Sequence, residues 1–165
     1  MPALSEIIPV QALTLSPAKL AWIWARMEGR PSEFSEFVAP DPEAFRAAIF
    51  SDQLLWYEFP DADTERTKGL VAVRHDPTST EATLFVTMLD KRPGEKVEGF
   101  RAFCREMFAT LPIHRLTMEV PDVHFALKRL IQHAGWRREG TKREAVRLPG
   151  RWVNVGIHGL LREES

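Results

Sequence analysis

The C-terminal third constrains the fold most, because the period of its apolar residues changes abruptly from helical to strand-like. Val123, Leu127, Leu130, Ile131 and Ala134 lie on one stripe at helical spacing, while Lys128, Arg129 and Gln132 lie off it. The spacing predicts a helix over 122–134. Gly135 ends it, since glycine takes the left-handed backbone conformation at little cost. Two strand candidates follow, around 137–148 and 152–161, joined by Pro149-Gly150. In the second, Val153, Val155 and Ile157 alternate with Asn154, Gly156 and His158, the period of two expected of a strand.

The rest of the chain reads in the same terms. Residues 6–14 are a candidate first strand. Ser16-Pro17 opens a helix: the serine hydroxyl suits an N-cap, and proline fits the first helical position because its missing N–H would be unpaired anyway. Leu20, Ile23, Trp24 and Met27 follow at helical spacing, and Asp41-Pro42 repeats the start signal before Ala44, Phe45 and Ile49. Trp22 and Trp24 point about 200° apart on a helix. They are therefore not expected to face one core; one would cover a cleft or partner, or lie flat on the surface. The runs 54–59, 69–74 and 82–89 are strand-like and spaced as an antiparallel meander. Residues 97–108 form a helix with Val97, Phe100, Phe103, Cys104 and Met107 on one face, and 115–120 a short strand.

The resulting order, β, α, α, three β, α, β, α, β, β, predicts an α/β (α+β) architecture. Its sheet is mixed, mostly antiparallel and twisted, with about six or seven strands and helices on both faces. One domain over 1–165 is expected from the length of 165 residues. Residues 1–50 supply the first strand and helices, 51–120 the central sheet and its helix, and 121–165 the last helix and hairpin.

Composition removes several classes. With 44% hydrophobic and 27% charged residues, the chain is neither disordered, collagen-like nor disulfide-rich. No apolar run approaches the roughly 18 residues of a bilayer span, so no membrane association is expected. The start MPALSEIIPV lacks the basic and apolar regions of a signal peptide. A single cysteine fits a reducing compartment, and a cytoplasmic location is the expectation. The net charge of −1 conceals an asymmetry: residues 1–65 carry 4 Lys/Arg and 11 Asp/Glu, residues 66–165 carry 18 and 12. The basic half either attracts an anionic partner or is neutralised by the acidic half within one fold.

The element order and the tail WRREGTKREAVRLPGRWVNVGIHGLLREE resemble the GNAT superfamily of acyl-CoA-dependent N-acetyltransferases. The likeness is to the branch that acetylates protein N-termini and small amines. Residues 50–165 carry it well, and the first 50 by element order. In that family the helix before the last hairpin carries an Asn, then Gly-Phe eleven residues on; here His124 and Gly135-Trp136 stand at those places. The family also has a Gly-rich loop, Arg/Gln-x-x-Gly-x-Gly/Ala, whose small residues let backbone N–H groups approach the cofactor's pyrophosphate at a helix N-terminus. The corresponding residues here are Lys91-Arg92-Pro93-Gly94-Glu95-Lys96-Val97-Glu98. Lys91 and Gly94 fit, Lys96 replaces the second glycine, and Glu95 and Glu98 bring carboxylates. The loop is either a phosphate site that uses its lysines and arginine or a charged, solvated helix start.

The resemblance implies acetyl-CoA as cofactor, with Met88, Leu89 and Asp90 holding pantetheine and Lys91, Arg92, Gly94 and Lys96 holding pyrophosphate. His124 would bond cofactor or substrate. An amine protonated at pH 7 must lose a proton before it attacks, so a base is required. Glu119 is the first candidate base, since it alternates away from Leu116, Met118 and Val120; Asp90 is the second. The family's usual acid is a Tyr seven residues after the Asn, and that place holds Ile131. The amine would enter between the early helices, near Glu28, Glu33 and Glu36.

Two readings follow: an N-acetyltransferase acting on a protein N-terminus or small amine, or a catalytically inactive GNAT-fold subunit of a larger assembly, a viral or phage one included. A protein partner or homo-oligomer goes with either. Cys104 reads as inert core. His124 and His133 are nine apart, on opposite faces of a helix, so no metal site is expected. The basic residues 137–151 are interrupted by Glu139 and Glu144 and lack stacking aromatics, which argues against nucleic acid.

Overall fold

The computed structural model describes residues 8–9, 16–28, 42–49, 54–61, 66–89 and 96–165. The elements are β1 (Ile8–Pro9), α1 (Pro17–Glu28), α2 (Pro42–Ile49), β2 (Leu55–Pro60), β3 (Thr67–His75), β4 (Glu81–Met88), α3 (Val97–Thr110), β5 (Arg115–Pro121), α4 (Phe125–His133), β6 (Arg137–Leu148) and β7 (Arg151–Leu161). Their order is the one the apolar periods predict. The strands form one sheet in the order β1-β2-β3-β4-β5-β7-β6. Neighbours run antiparallel except β4 and β5, which are parallel.

Alternation sends each strand's side chains to two different layers. On one face Val71, Val73, Leu84, Val86, Leu116, Met118 and Val120 meet Phe100, Phe103 and Met107 of α3 and Leu127, Leu130 and Ile131 of α4. On the other, Trp56, Leu70 and Ala72 meet Ile23 and Met27 of α1 and Phe45 of α2. Each fully buried side chain of this size contributes about 1.5–3 kcal/mol through removal from water. A buried ion pair ties the second layer to the sheet: Lys19 Nζ lies 2.6 Å from Glu58 Oε2, with both side chains 7% exposed.

The local signals act as their chemistry requires. The Lys19 N–H donates to Ser16 Oγ at 3.0 Å, capping α1. Gly135 takes φ +92° after α4 and Gly150 takes φ +78° in the hairpin turn. Arg162 clamps the C-terminus by donating to the carbonyls of Leu111 and Ile113.

Two expectations need correction. Trp22 and Trp24 both border the α1/α2 cluster, since each leans in from one flank of the stripe headed by Ile23; Arg26 lies over the Trp22 ring at 4.9 Å. The last helix begins at Phe125 rather than 122, because 122–124 form a turn in which the His124 N–H donates to the Pro121 carbonyl. His124 therefore caps α4 instead of lying on one of its faces. Within the predicted first strand 6–14, only Ile8–Pro9 is described, as β1.

Candidate active site

The parallel pair at the centre of the sheet is short. Its register runs Glu81↔Arg115, Ala82↔Leu116, Thr83↔Thr117 and stops. Yet β4 continues to Met88, paired with Gly69 of β3, and β5 continues to Pro121, paired with Val155 of β7. Each arm is held by a full antiparallel ladder on its outer side, so the sheet opens into a fork. The inner backbone edges of 84–88 and 118–121 have no strand partner across it.

A pocket of about 620 Å³ lies at the base of this fork on the α1/α2 side. The period of two builds it: Glu81, Thr83 and Phe85 of β4 and Arg115, Thr117 and Glu119 of β5 all turn to that face. Arg74 of β3, Leu54 and Ile157 complete the walls, and Met118 reaches it at the fork. The Thr83 and Thr117 hydroxyl oxygens stand 3.5 Å apart across the last rung.

Charge in the pocket is mostly paired. Glu119 Oε1 accepts from Lys142 Nζ at 2.5 Å, and the two side chains are 35% and 49% exposed. Arg115 donates from Nε to Glu81 Oε2 at 3.0 Å and through both terminal nitrogens to the carboxylate of Glu139. That forked bond holds the Glu139 carboxyl below its usual range and raises the Arg115 guanidinium. Gly159 makes the arrangement possible, because a Cβ there would sit 2.5 Å from Glu139 Oε1 and 2.8 Å from the Arg115 guanidinium. The Arg74 guanidinium lies 4.9 Å from the centre of the Phe85 ring.

On the opposite face, His158 is buried beside Met118, its cross-strand partner. Burial lowers its pKa, helped by the charges of Arg138 and Lys128, while a bond to the Gly156 carbonyl and the charge of Asp122 oppose the shift. The imidazole is therefore neutral at pH 7.

The structure brings some of the expected residues to the fork and separates others. Glu119 stands on the pocket wall. Met88 ends the β4 arm, buried, and the Leu89 N–H already donates to the Lys68 carbonyl at 3.0 Å. Asp90, Lys91, Arg92 and Gly94 lie outside the described residues, as do Glu33, Glu36 and the side chain of Glu28. Lys96 precedes α3 and is 2% exposed, whereas Glu98 is exposed and pairs with Arg101 at 2.7 Å. His124 is half-buried, with Nε2 enclosed. Ile131 is fully buried in the core. Tyr57 packs edge-on against Phe103 beneath α3, with its phenol pushed up by burial and by Glu106, and supplies no acid to the pocket.

Sequence reasoning singled out Glu119 but missed Arg74, Glu81, Thr83, Phe85, Arg115 and Thr117. The alternation that marked Glu119 also places Arg115 and Thr117 on its face, so that signal was present.

No protein-family model matches the chain. Solved structures do. A ribosomal-protein-S5-alanine acetyltransferase from Vibrio fischeri superposes with a TM-score of 0.74 at 11% identity, over 96% of this chain and 93% of that one. A spermidine N-acetyltransferase from Vibrio cholerae, in complex with CoA and spermine, gives 0.67 at 18% identity over 97% and 98%. A ribosomal-protein-alanine N-acetyltransferase from Brucella melitensis gives 0.69 at 16% identity over 94% and 98%. With a central fork between parallel strands and near-complete superposition on these enzymes, the chain has the fold of the GNAT N-acetyltransferases.

Proposed function

We propose that this protein transfers an acetyl group from acetyl-CoA to an amine. The observation that carries the reading is the fork between β4 and β5, open at its base onto a pocket with Glu119 on the wall. The fork fits the cofactor's pantetheine arm. Two strand edges without ladder partners present backbone donors and acceptors that an amide-bearing chain satisfies. Met88, Leu89 and Asp90 would line the β4 side, the Leu89 N–H being held by the Lys68 carbonyl of β3. Lys91, Arg92, Gly94 and Lys96, between β4 and α3 in the sequence, would meet the phosphates. Bound there, the cofactor supplies an activated acetyl thioester.

The chain's own residues prepare the amine. Lys142 occupies Oε1 of Glu119 and fixes the carboxylate, leaving Oε2 to accept the ammonium proton directly or through water. Asp90 is the alternative base. His124, at the start of α4, would orient cofactor or substrate from the place of the family's Asn. Ile131 offers no proton, so the acid for a thiolate leaving group would have to be water or another donor. The similar proteins act on a ribosomal-protein alanine and on spermidine, and an amine acceptor here is the corresponding expectation.

Glu119→Gln keeps shape and hydrogen bonding but cannot take a proton. In an acetylation assay read by mass, it should lower kcat by about 10²–10⁴, the usual contribution of a general base. Unchanged turnover would remove Glu119 from the mechanism.

One observation favours a second reading, a GNAT-fold subunit without catalysis. Lys96, in place of the family's second glycine, is buried where the phosphate loop meets α3. A filled loop would exclude the cofactor.

A further inference from the structure

We infer that the acceptor carries an anionic group, a carboxylate or phosphate, that docks on Arg74 while its amine faces Glu119. The inference rests on the acetyl-transfer reading and names its substrate class.

Among the described residues, Arg74 and Arg115 are the two guanidinium groups that line the pocket. Arg115 is engaged by Glu81 on one side and Glu139 on the other, a trio of net charge −1, so it has no charge left over for a ligand. Arg74 has no carboxylate within ion-pair distance among the described residues. Among the described residues it meets the Phe85 ring, 4.9 Å from the guanidinium carbon. With its carbon over the ring, the guanidinium has N–H groups that no carboxylate among the described residues takes. Those groups match a carboxylate or phosphate with two parallel bonds. Glu81 lies on the same face, but its carboxylate is bonded to Arg115 and makes no ion pair with Arg74.

The geometry also sets the spacing. Arg74 pairs with Thr83, Thr83 pairs with Thr117, and Glu119 lies two residues further along β5. Two strand spacings and a two-residue rise separate the Cα atoms of Arg74 and Glu119 by about 12 Å. Both side chains line the pocket. An acceptor spanning them has its anion several bonds from its nitrogen, as in a dipeptide or an aminoalkyl phosphate. Arg74 is a binding residue in this account; proton removal stays with Glu119.

The test compares acceptors that differ only in the anion: dipeptides against their C-terminal amides, and an aminoalkyl phosphate against the parent amino alcohol. The wild-type protein should prefer at least one anionic member by about 10–100-fold in kcat/KM, the range of a charge-assisted bidentate contact. Arg74→Ala should bring that ratio close to one, through KM. Arg74→Lys should restore part of it, since it keeps the charge and loses the fork. Whether the carboxylates or the phosphate respond identifies the group. A parallel thermal-shift titration of the same compounds, without cofactor, should raise the wild-type Tm with the anionic members and leave Arg74→Ala unmoved. That arm separates two failures. Anion binding at Arg74 without transfer to any amine defeats the acetyl-transfer reading alone. Equal treatment of charged and neutral compounds by both proteins in both arms overturns the Arg74 anchor.

Discussion

The buried pair of Lys19 and Glu58 allows a sharp test of how the α1/α2 layer is held beside the fork. Lys19 Nζ and Glu58 Oε2 lie 2.6 Å apart, and each side chain is 7% exposed. Two ions withdrawn from water are compensated almost entirely by each other. Glu58→Ala leaves an ammonium in the apolar seam between α1 and β2, near Trp56 and Leu70. Removing one partner of such a pair costs about 3–5 kcal/mol. For a chain of this length, each kcal/mol moves the Tm by roughly 2–4 °C, so Glu58→Ala should fall by about 6–20 °C. Lys19→Met, with Glu58 left charged, should fall by a comparable amount. The double variant Lys19→Met/Glu58→Leu buries two apolar side chains and should recover most of the loss, since replacing a whole buried pair is often neutral or better. Urea unfolding of the wild type, Lys19→Met, Glu58→Leu and the double variant closes the cycle, and the coupling should be of the same order as either single loss. Single variants within about 1 kcal/mol of wild type, the range of an exposed pair, would show that water screens this contact and refute the reasoning.

Two further predictions concern buried titratable groups. Burial pushes the Cys104 thiol up to about 12, with the Trp136 side chain and Arg105 opposing. The native protein should therefore resist a thiol reagent at pH 8 and react once unfolded in urea; rapid native labelling would show that α3 does not seal the core. His158 has a folded pKa below its unfolded value of about 6.5. The unfolded chain binds the extra proton, so this group's stability is present above about pH 6.5 and is lost as pH falls below it. Urea midpoints from pH 8 to 5 should decline more steeply for wild type than for His158→Asn, and parallel curves would contradict the shift.

The element order was legible because every layer rests on a period. The α4 stripe, the α3 face and the hairpin alternation are written in consecutive residues, and burial decides them. What failed depended on residues far apart in the chain. The fork exists because β4 and β5 follow their outer neighbours, and no local signal marks Thr83↔Thr117 as the last rung. The Lys142 contact with Glu119 needs the hairpin register. That register shifts between Arg138 and Gly140 and again between Lys142 and Val146. The late start of α4 followed from a turn hydrogen bond at Pro121, which outweighed an apolar stripe that begins at Val123. Glu119 was legible as an outward residue of an apolar strand, but its surroundings became legible only once neighbouring strands were in register.

The central claim is that the fork holds acyl-CoA, and a titration of the intact chain with acetyl-CoA tests it most directly. Calorimetry and thermal shift should both be read. The account predicts micromolar binding. At a hundredfold excess over Kd, the bound state gains about 2.7 kcal/mol, a Tm rise of roughly 5–10 °C for a chain of this size. No heat and no shift at millimolar acetyl-CoA would contradict it. The GNAT fold would then stand without its cofactor, and the second reading would replace the first.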